Sequence, residues 1–274
     1  MIRFSTKMFK LAAAVAVLFM FIPAYAESQP VPVVNILYTD DQMNKIFKLL
    51  ALALVSDNEK AIDFSLAKAG HNKVINDVLS GDADIGVLTV KPLYKYRRRG
   101  LTVKPFAVFP VVWAVNSKNP VFGMTSQQLV DIYSGRIKTW KEFNNTGYVI
   151  HLAGMQKYTP ASDVMMKLLM KDDAVSATMY CASRPSELIA MVSGNKNSLV
   201  FMPYLPLEDD QIKYINIDSV KPKPENFISG KYPFLKVFYL VYKGDHSKAA
   251  DDFIAYLKSK DINSLFTNEG LILY

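Results

Sequence analysis

The side chains able to do covalent or metal chemistry are few in this sequence, and they do not converge. His71, His151 and His246 are scattered, and none has a second His or a carboxylate at the spacing a zinc site needs. Cys181 is the single cysteine, so no intramolecular disulfide can form, and its apolar neighbours predict a packed thiol rather than a nucleophile. There is no Gly-x-Ser-x-Gly elbow, no Cys–His pairing and no glycine-rich phosphate loop of the nucleotide enzymes. No catalytic residue, metal or cofactor is therefore assigned, and an enzyme is not expected. What remains is hydrogen-bonding chemistry at helix starts. Thr39-Asp40-Asp41 and Thr159-Pro160 each read as a capped N-terminus, the second with Pro at its first helical position.

These starts need strands and helices to position them. Val33–Tyr38 reads as a buried strand, followed by a helix with Met43, Ile46, Phe47, Leu50 and Leu54 at helical spacing. Residues 61–66 predict a second strand. Val74, Ile75, Val78 and Leu79 mark a second helix, stopped at Ser80-Gly81, and residues 84–89 predict a third strand. Alternation at these spacings implies a parallel sheet.

Phe106–Val115 is a near-continuous apolar run, as for a strand buried on both faces. Asn116, Ser117, Asn119 and Pro120 end it with turn chemistry. Thr125 then caps a helix, Gln128 completes a capping box, Leu129, Ile132 and Tyr133 form the apolar stripe, and Gly135 stands at the left-handed C-cap. Further helices are predicted over residues 161–171 and 185–192, and strands over 148–152, 199–202 and 235–242. Residues 203–224 read as loop-rich, and helices over 251–258 and 262–267 follow the last strand.

Arg3, Lys7 and Lys10 precede an apolar run from Leu11 to Ile22, and Ala24-Tyr25-Ala26 supplies small residues at both key cleavage positions. That pattern predicts a signal peptide cleaved after Ala26 and an exported, periplasmic chain; the run is shorter than the ~20 residues that span a bilayer. Removing those three cations from 32 leaves 29 against 25 acids, a net charge of +4. So modest an excess argues against nucleic acid as a partner and suits an anionic ligand. The one dense run, Lys95 with Arg97-Arg98-Arg99, reads as a solvated turn, with a contact surface for a membrane partner as the alternative.

Several motifs resemble the phosphate-binding subunits of ABC phosphate importers. They are the turn Asn116-Ser-Lys-Asn-Pro120, the helix exit Ile132-Tyr-Ser-Gly-Arg-Ile-Lys-Thr-Trp140, Gly81-Asp-Ala-Asp84-Ile-Gly-Val-Leu-Thr89, and Tyr232-Pro233 opening the last strand. The resemblance implies a type II periplasmic binding protein-like α/β fold: two lobes, each a mostly parallel sheet flanked by helices, with ligand between them. By analogy residues 27–107 and 233–274 form the first lobe and 108–232 the second.

In that family a dehydrated phosphate is held by helix N-termini, hydroxyls, one Arg and one Asp. This sequence departs at each place. Thr39 keeps a hydroxyl, but Asp40 and Asp41 follow it and would repel an anion. Ala67-Lys-Ala-Gly70 has lost the family's Ser. Thr89 replaces the ligand-facing Asp, and residues 154–162 contain no Arg, leaving Lys157 as a point charge. The resemblance thus implies Thr39, Thr89, Lys157, Tyr158 and Thr159 as the ligand set, Thr159 being equally well explained as a cap. The expected function is solute binding, of a small oxyanion such as phosphate, by a monomer serving a membrane importer. The alternative is a ligand-free accessory protein of the cell envelope on the same fold. The mature chain is expected to begin at Glu27. Mass spectrometry of the exported protein checks this, and retention of residues 1–26 would refute it.

Overall fold

The computed structural model describes residues 33–56, 63–144, 146–207, 210–257, 259 and 262–274. The expected signal segment 1–26, residues 61 and 62 of the expected second strand, and the side chain of Leu54 lie outside what is described.

The chain opens with β1 (Val33–Tyr38), α1 (Asp41–Ser56), β2 (Asp63–Lys68), α2 (His71–Ser80) and β3 (Ile85–Leu88). Both β2 and β3 pair in parallel with β1, as the alternation of strands and helices predicts. The short helix α3 (Tyr94–Arg97) carries the basic run and leads into β4 (Leu101–Asn116). Far along the sequence, β11 (Leu235–Lys243) returns to lie between β3 and β4, antiparallel to both. The first sheet thus has a parallel flank and an antiparallel centre.

At 16 residues, β4 is longer than the apolar run alone predicts, and it belongs to two sheets. Residues Leu101 to Pro110 pair with β11, while Ala107 and Val108 also take β12 (Ile272–Leu273). From Val111 onward its partners are β8 (Ser198–Pro203) and β9 (Ile212–Tyr214). Pro110, which has no N–H to donate, sits where the partners change. The next residue restores the ladder by donating its N–H to Phe234 O at 3.0 Å. Every side chain from Phe106 to Asn116 is buried, because both faces are covered on both sides of this exchange.

In the second sheet β6 (His151–Met155) runs parallel to β8 and to β7 (Tyr180–Ala182). Gly154 is required there: a Cβ would fall 1.9 Å from the Phe201 ring on the neighbouring strand. The stretch expected to be loop-rich holds β9 and also β10 (Asn216–Ile217), which pairs with β5 (Gly123–Met124). The expected helices form as α4 (Ser126–Tyr133), α6 (Pro160–Val164, continued by a π-helical turn over Met165–Met170) and α7 (Pro185–Gly194), with the four-residue α5 (Lys141–Asn144) after α4. Short α8 (Pro224–Ile228) precedes β11; α9 (Lys248–Tyr256) and α10 (Asn263–Asn268) precede β12.

The asparagines of the Asn116–Pro120 turn have a structural reason. Asn116 donates its side-chain N–H groups to Val192 O at 3.0 Å and Ser193 O at 2.8 Å, and Asn119 donates to Lys196 O at 2.9 Å. These bonds satisfy carbonyls at and just beyond the end of α7, which would otherwise be orphaned. The capping box of α4 is present, with Thr125 Oγ1 accepting from Gln128 N–H at 3.1 Å and Gln128 Oε1 accepting from Thr125 N–H at 2.8 Å. Gly135 has φ +81°, the left-handed conformation expected after that helix. Cys181 is exposed, against the expectation of a packed thiol, because β7 is short and lies at the outer edge of its sheet.

Trp140 is fully buried, edge-on to Phe143, and its indole N–H donates to Asn197 O at 3.0 Å. Replacing it by Ala leaves a cavity and removes one of the two hydrogen bonds to Asn197 O, the other coming from His151 N–H. Trp140→Ala is expected to cost roughly 3–5 kcal/mol in urea unfolding; an unchanged unfolding midpoint would show that Trp140 does not hold this fold.

Candidate functional site

Parallel strands deliver their carboxyl ends to one edge of a sheet, and ligands of open α/β sheets bind outside that edge. Here Tyr38 is level with Lys68 on β2 and Val87 on β3, so the chain leaves β1 at Thr39 beside the exit of β3 at Thr89. Thr39 is pinned there: its N–H donates to Val87 O at 3.1 Å and its hydroxyl to the same oxygen at 3.4 Å.

The next residue changes the character of the edge. Asp40 caps α1, with Oδ1 accepting from Gln42 N–H at 3.0 Å. Its other oxygen, Oδ2, accepts from Lys236 Nζ on β11 at 3.0 Å, and the two side chains are only 21% and 14% exposed. The partial positive charge of the helix start is thus met by an internal carboxylate, which has its own counter-ion. Asp41 pairs with Lys68 at 2.5 Å, and that hydrogen bond raises the Lys68 ammonium above its ordinary pKa.

Beside the Asp40–Lys236 pair lies a cleft of about 500 Å³. One wall is Thr89, Val90 and Lys91, from the exit of β3; the floor is β11, from Leu235 to Val237 with Tyr239; the far wall is the helix begun by Pro160, through Asp163, Val164, Lys167 and Leu168. Asp163 and Lys167 pair at 3.4 Å one helical turn apart. Lys91 is exposed and has no ion-pair partner among the described residues.

Of the residues implied by the resemblance, Thr89 lines this cleft and Thr39 stands beside it, next to the ion pair. Lys157, Tyr158 and Thr159 do not line it. They form the turn before α6, in which Tyr158 has φ +65° and is 97% exposed. Thr159 is fully engaged locally: its hydroxyl donates to Gln156 O at 2.9 Å and accepts from Ser162 N–H at 3.2 Å, and Ser162 Oγ accepts from Thr159 N–H at 3.1 Å. Pro160 has no N–H, so this box consumes most of the donors of the helix start.

Lys91, Asp163, Lys167 and Lys236 line the cleft without having been foreseen. Lys236 had a signal, as the one cation within the first seven residues of an otherwise apolar strand. Asp163 and Lys167 had none, because spacing of four along a helix more often marks a solvated face.

The chain matches the PBP superfamily domain over residues 35–261. It is 26% identical over 216 residues to the phosphate-binding protein PstS of Bacillus subtilis, covering 77% of this chain and 71% of that one. Among solved structures, an ABC-type phosphate transport receptor from Vibrio cholerae superposes with a TM-score of 0.68 at 20% identity, over 89% of this chain and 100% of that chain. A phosphate ABC transporter substrate-binding protein from Clostridium perfringens, with bound phosphate, gives 0.57 at 20% identity over the same shares. At such identities the structural likeness establishes the two-lobed fold.

The capping geometry makes a direct prediction. Thr159→Ala is expected to lower stability by about 1 kcal/mol, while Thr159→Ser keeps it. Matched thermal denaturation of the two variants checks this; equal losses would show that the hydroxyl is not the stabilising group.

Proposed function

The chain belongs to the PBP superfamily, and from that premise we propose that it is an exported, periplasmic solute-binding protein. It holds a small oxyanion between its lobes and presents it, as a monomer, to a membrane ABC importer. The observation that carries this reading is the gathering of Lys91, Lys167 and Lys236 around one cleft at the carboxyl ends of parallel strands. The relatives' names, which specify phosphate, support an oxyanion as the ligand class. Among the described residues no helix is long and apolar enough to cross a membrane, which is consistent with a partner that supplies the membrane passage.

The proposed lobes are residues 27–107 with 233–274, and 108–232. The exchange of partners along β4 at Pro110 and Val111 supports a boundary close to this one, since a strand shared by two sheets can serve as the hinge. Ligand favours the closed form by touching both lobes at once, which is the differential affinity that any such shift needs. The proposed ligand set keeps Thr39 and Thr89 and adds Lys91 and Lys236. Lys157 and Tyr158 join it only as the second lobe's contribution to a closed form, and Thr159 only by giving up its capping bonds, since both its hydroxyl and its N–H are occupied.

Calorimetry of ligand-free, refolded protein against phosphate, sulfate and other small oxyanions tests the reading. Lys91 is the cleft cation without an ion-pair partner among the described residues, so Lys91→Gln is expected to remove a charge-assisted bond of roughly 1.5–3 kcal/mol, about a tenfold or greater loss of affinity. Failure of every oxyanion, inorganic or organic, to bind would overturn the proposal in favour of the ligand-free envelope protein.

A further inference from the structure

The lysines account for a negative head group, but not for the rest of the cleft. Val90, which is 63% exposed, lies on the first wall, and Leu168, 41% exposed, lies on the far wall. Leu235, Val237 and Tyr239 line the floor between them, each half-buried. A site for a bare inorganic oxyanion has no use for such a lining, because every apolar group facing the ion displaces a donor that could have solvated it. Domain closure narrows the space between the walls but leaves these side chains in it. At about 500 Å³ the cleft also lies within the range of sites for organic ligands, which are mostly apolar with a few placed polar groups.

The charges point the same way. The strongest ready-made anion position at this edge is the N-terminus of α1, a 16-residue helix. Asp40 fills it and holds Lys236 at 3.0 Å, so a free anion would have to displace a bonded carboxylate. On the far wall Asp163 partly neutralises Lys167. A compact ion of high charge would meet both carboxylates. A head group entering at Lys91 and Thr89, with its organic body directed along Val90, Val237 and Leu168, would meet neither head-on.

Resting on the solute-binding reading above, we propose that the ligand is an organic phosphate or phosphonate: an anionic head on Lys91 and Thr89, carrying an apolar substituent that packs between Val90 and Leu168. Asp40 sets this specificity by occupying the helix start that would otherwise receive inorganic phosphate.

Calorimetry on the full mature protein tests this with a graded series: inorganic phosphate, then methyl-, butyl- and phenylphosphonate. Affinity is expected to rise at least tenfold from inorganic phosphate to phenylphosphonate, with an increasingly negative heat-capacity change as apolar surface is buried. Val90→Ser and Leu168→Ser should each shrink the phenyl-to-methyl affinity ratio severalfold. Leu93→Ser, exposed and outside the cleft, should leave that ratio unchanged. Asp40→Asn keeps a capping oxygen but loses the charge, and should raise affinity for inorganic phosphate about tenfold or more. Inorganic phosphate bound as tightly as phenylphosphonate, or a ratio unmoved by both wall variants, would overturn this proposal and leave the solute-binding reading intact. If no member of the series binds, both fail together.

Discussion

A single strand has to satisfy two sheets, and the rest of this molecule follows from that constraint. Along β4 every buried N–H and C=O needs a partner, yet the partner elements change at Pro110 and Val111. The change is tolerable because it happens at a residue with no N–H to lose, and because Phe234 and Tyr204 supply the bonds on either side of it. Burial on both faces then demands the unbroken apolar composition from Phe106 to Val115. The bulge between Phe238 and Tyr239 skips Phe106 in the ladder, and Tyr274 N–H recovers the Phe106 carbonyl at 3.0 Å. Packing and hydrogen bonding at the centre of the fold are both set along this one line.

At the cleft, the Asp40–Lys236 pair has the opposite character. Both groups are largely withdrawn from water, and desolvation offsets much of their attraction. Its net contribution to stability is therefore modest. Asp40 also caps α1, so the carboxylate cannot turn away to make room for a ligand without uncovering the N–H of Gln42. The start of α1 is thus already met by the chain's own carboxylate, and the ligand position proposed above lies to its side, toward Thr89 and Lys91.

The sequence made legible whatever depends on local chemistry or on a recurring apolar period. The capping box at Thr125 and Gln128, the left-handed Gly135, the Thr159-Pro160 start and the strands β1 and β3 could all be read from neighbours a few residues apart, whereas the two-residue β12 could not. The family resemblance implied that residues 233–274 return to the first lobe, but not that β11 lies between β3 and β4 and antiparallel to both, since nothing in a strand's composition records its partner. The cleft was harder still. Lys236 and Asp40 are 196 residues apart, and their pairing is a product of the sheet order. Thr159 looked equally suited to ligand or cap, and geometry shows its hydroxyl engaged in capping. Exposure of Cys181 depends on β7 being an edge strand, which periodicity does not report.

The position of β11 also has a consequence for how the chain reaches this state. The strand that separates β3 from β4 begins at residue 235, and β12 comes later still. During synthesis, more than four-fifths of the chain exists before the centre of the first sheet can close, with β3 and β4 presenting open edges in the interval. Such non-local closure is slow and exposes pairing surfaces to other chains. The strands that pair with β4 beyond Val111, and those next to them, are all made before β11 begins and suffer no comparable delay, so they can pair while the first sheet waits. A protein strung this way gains from keeping the whole chain unfolded until its last strand is available.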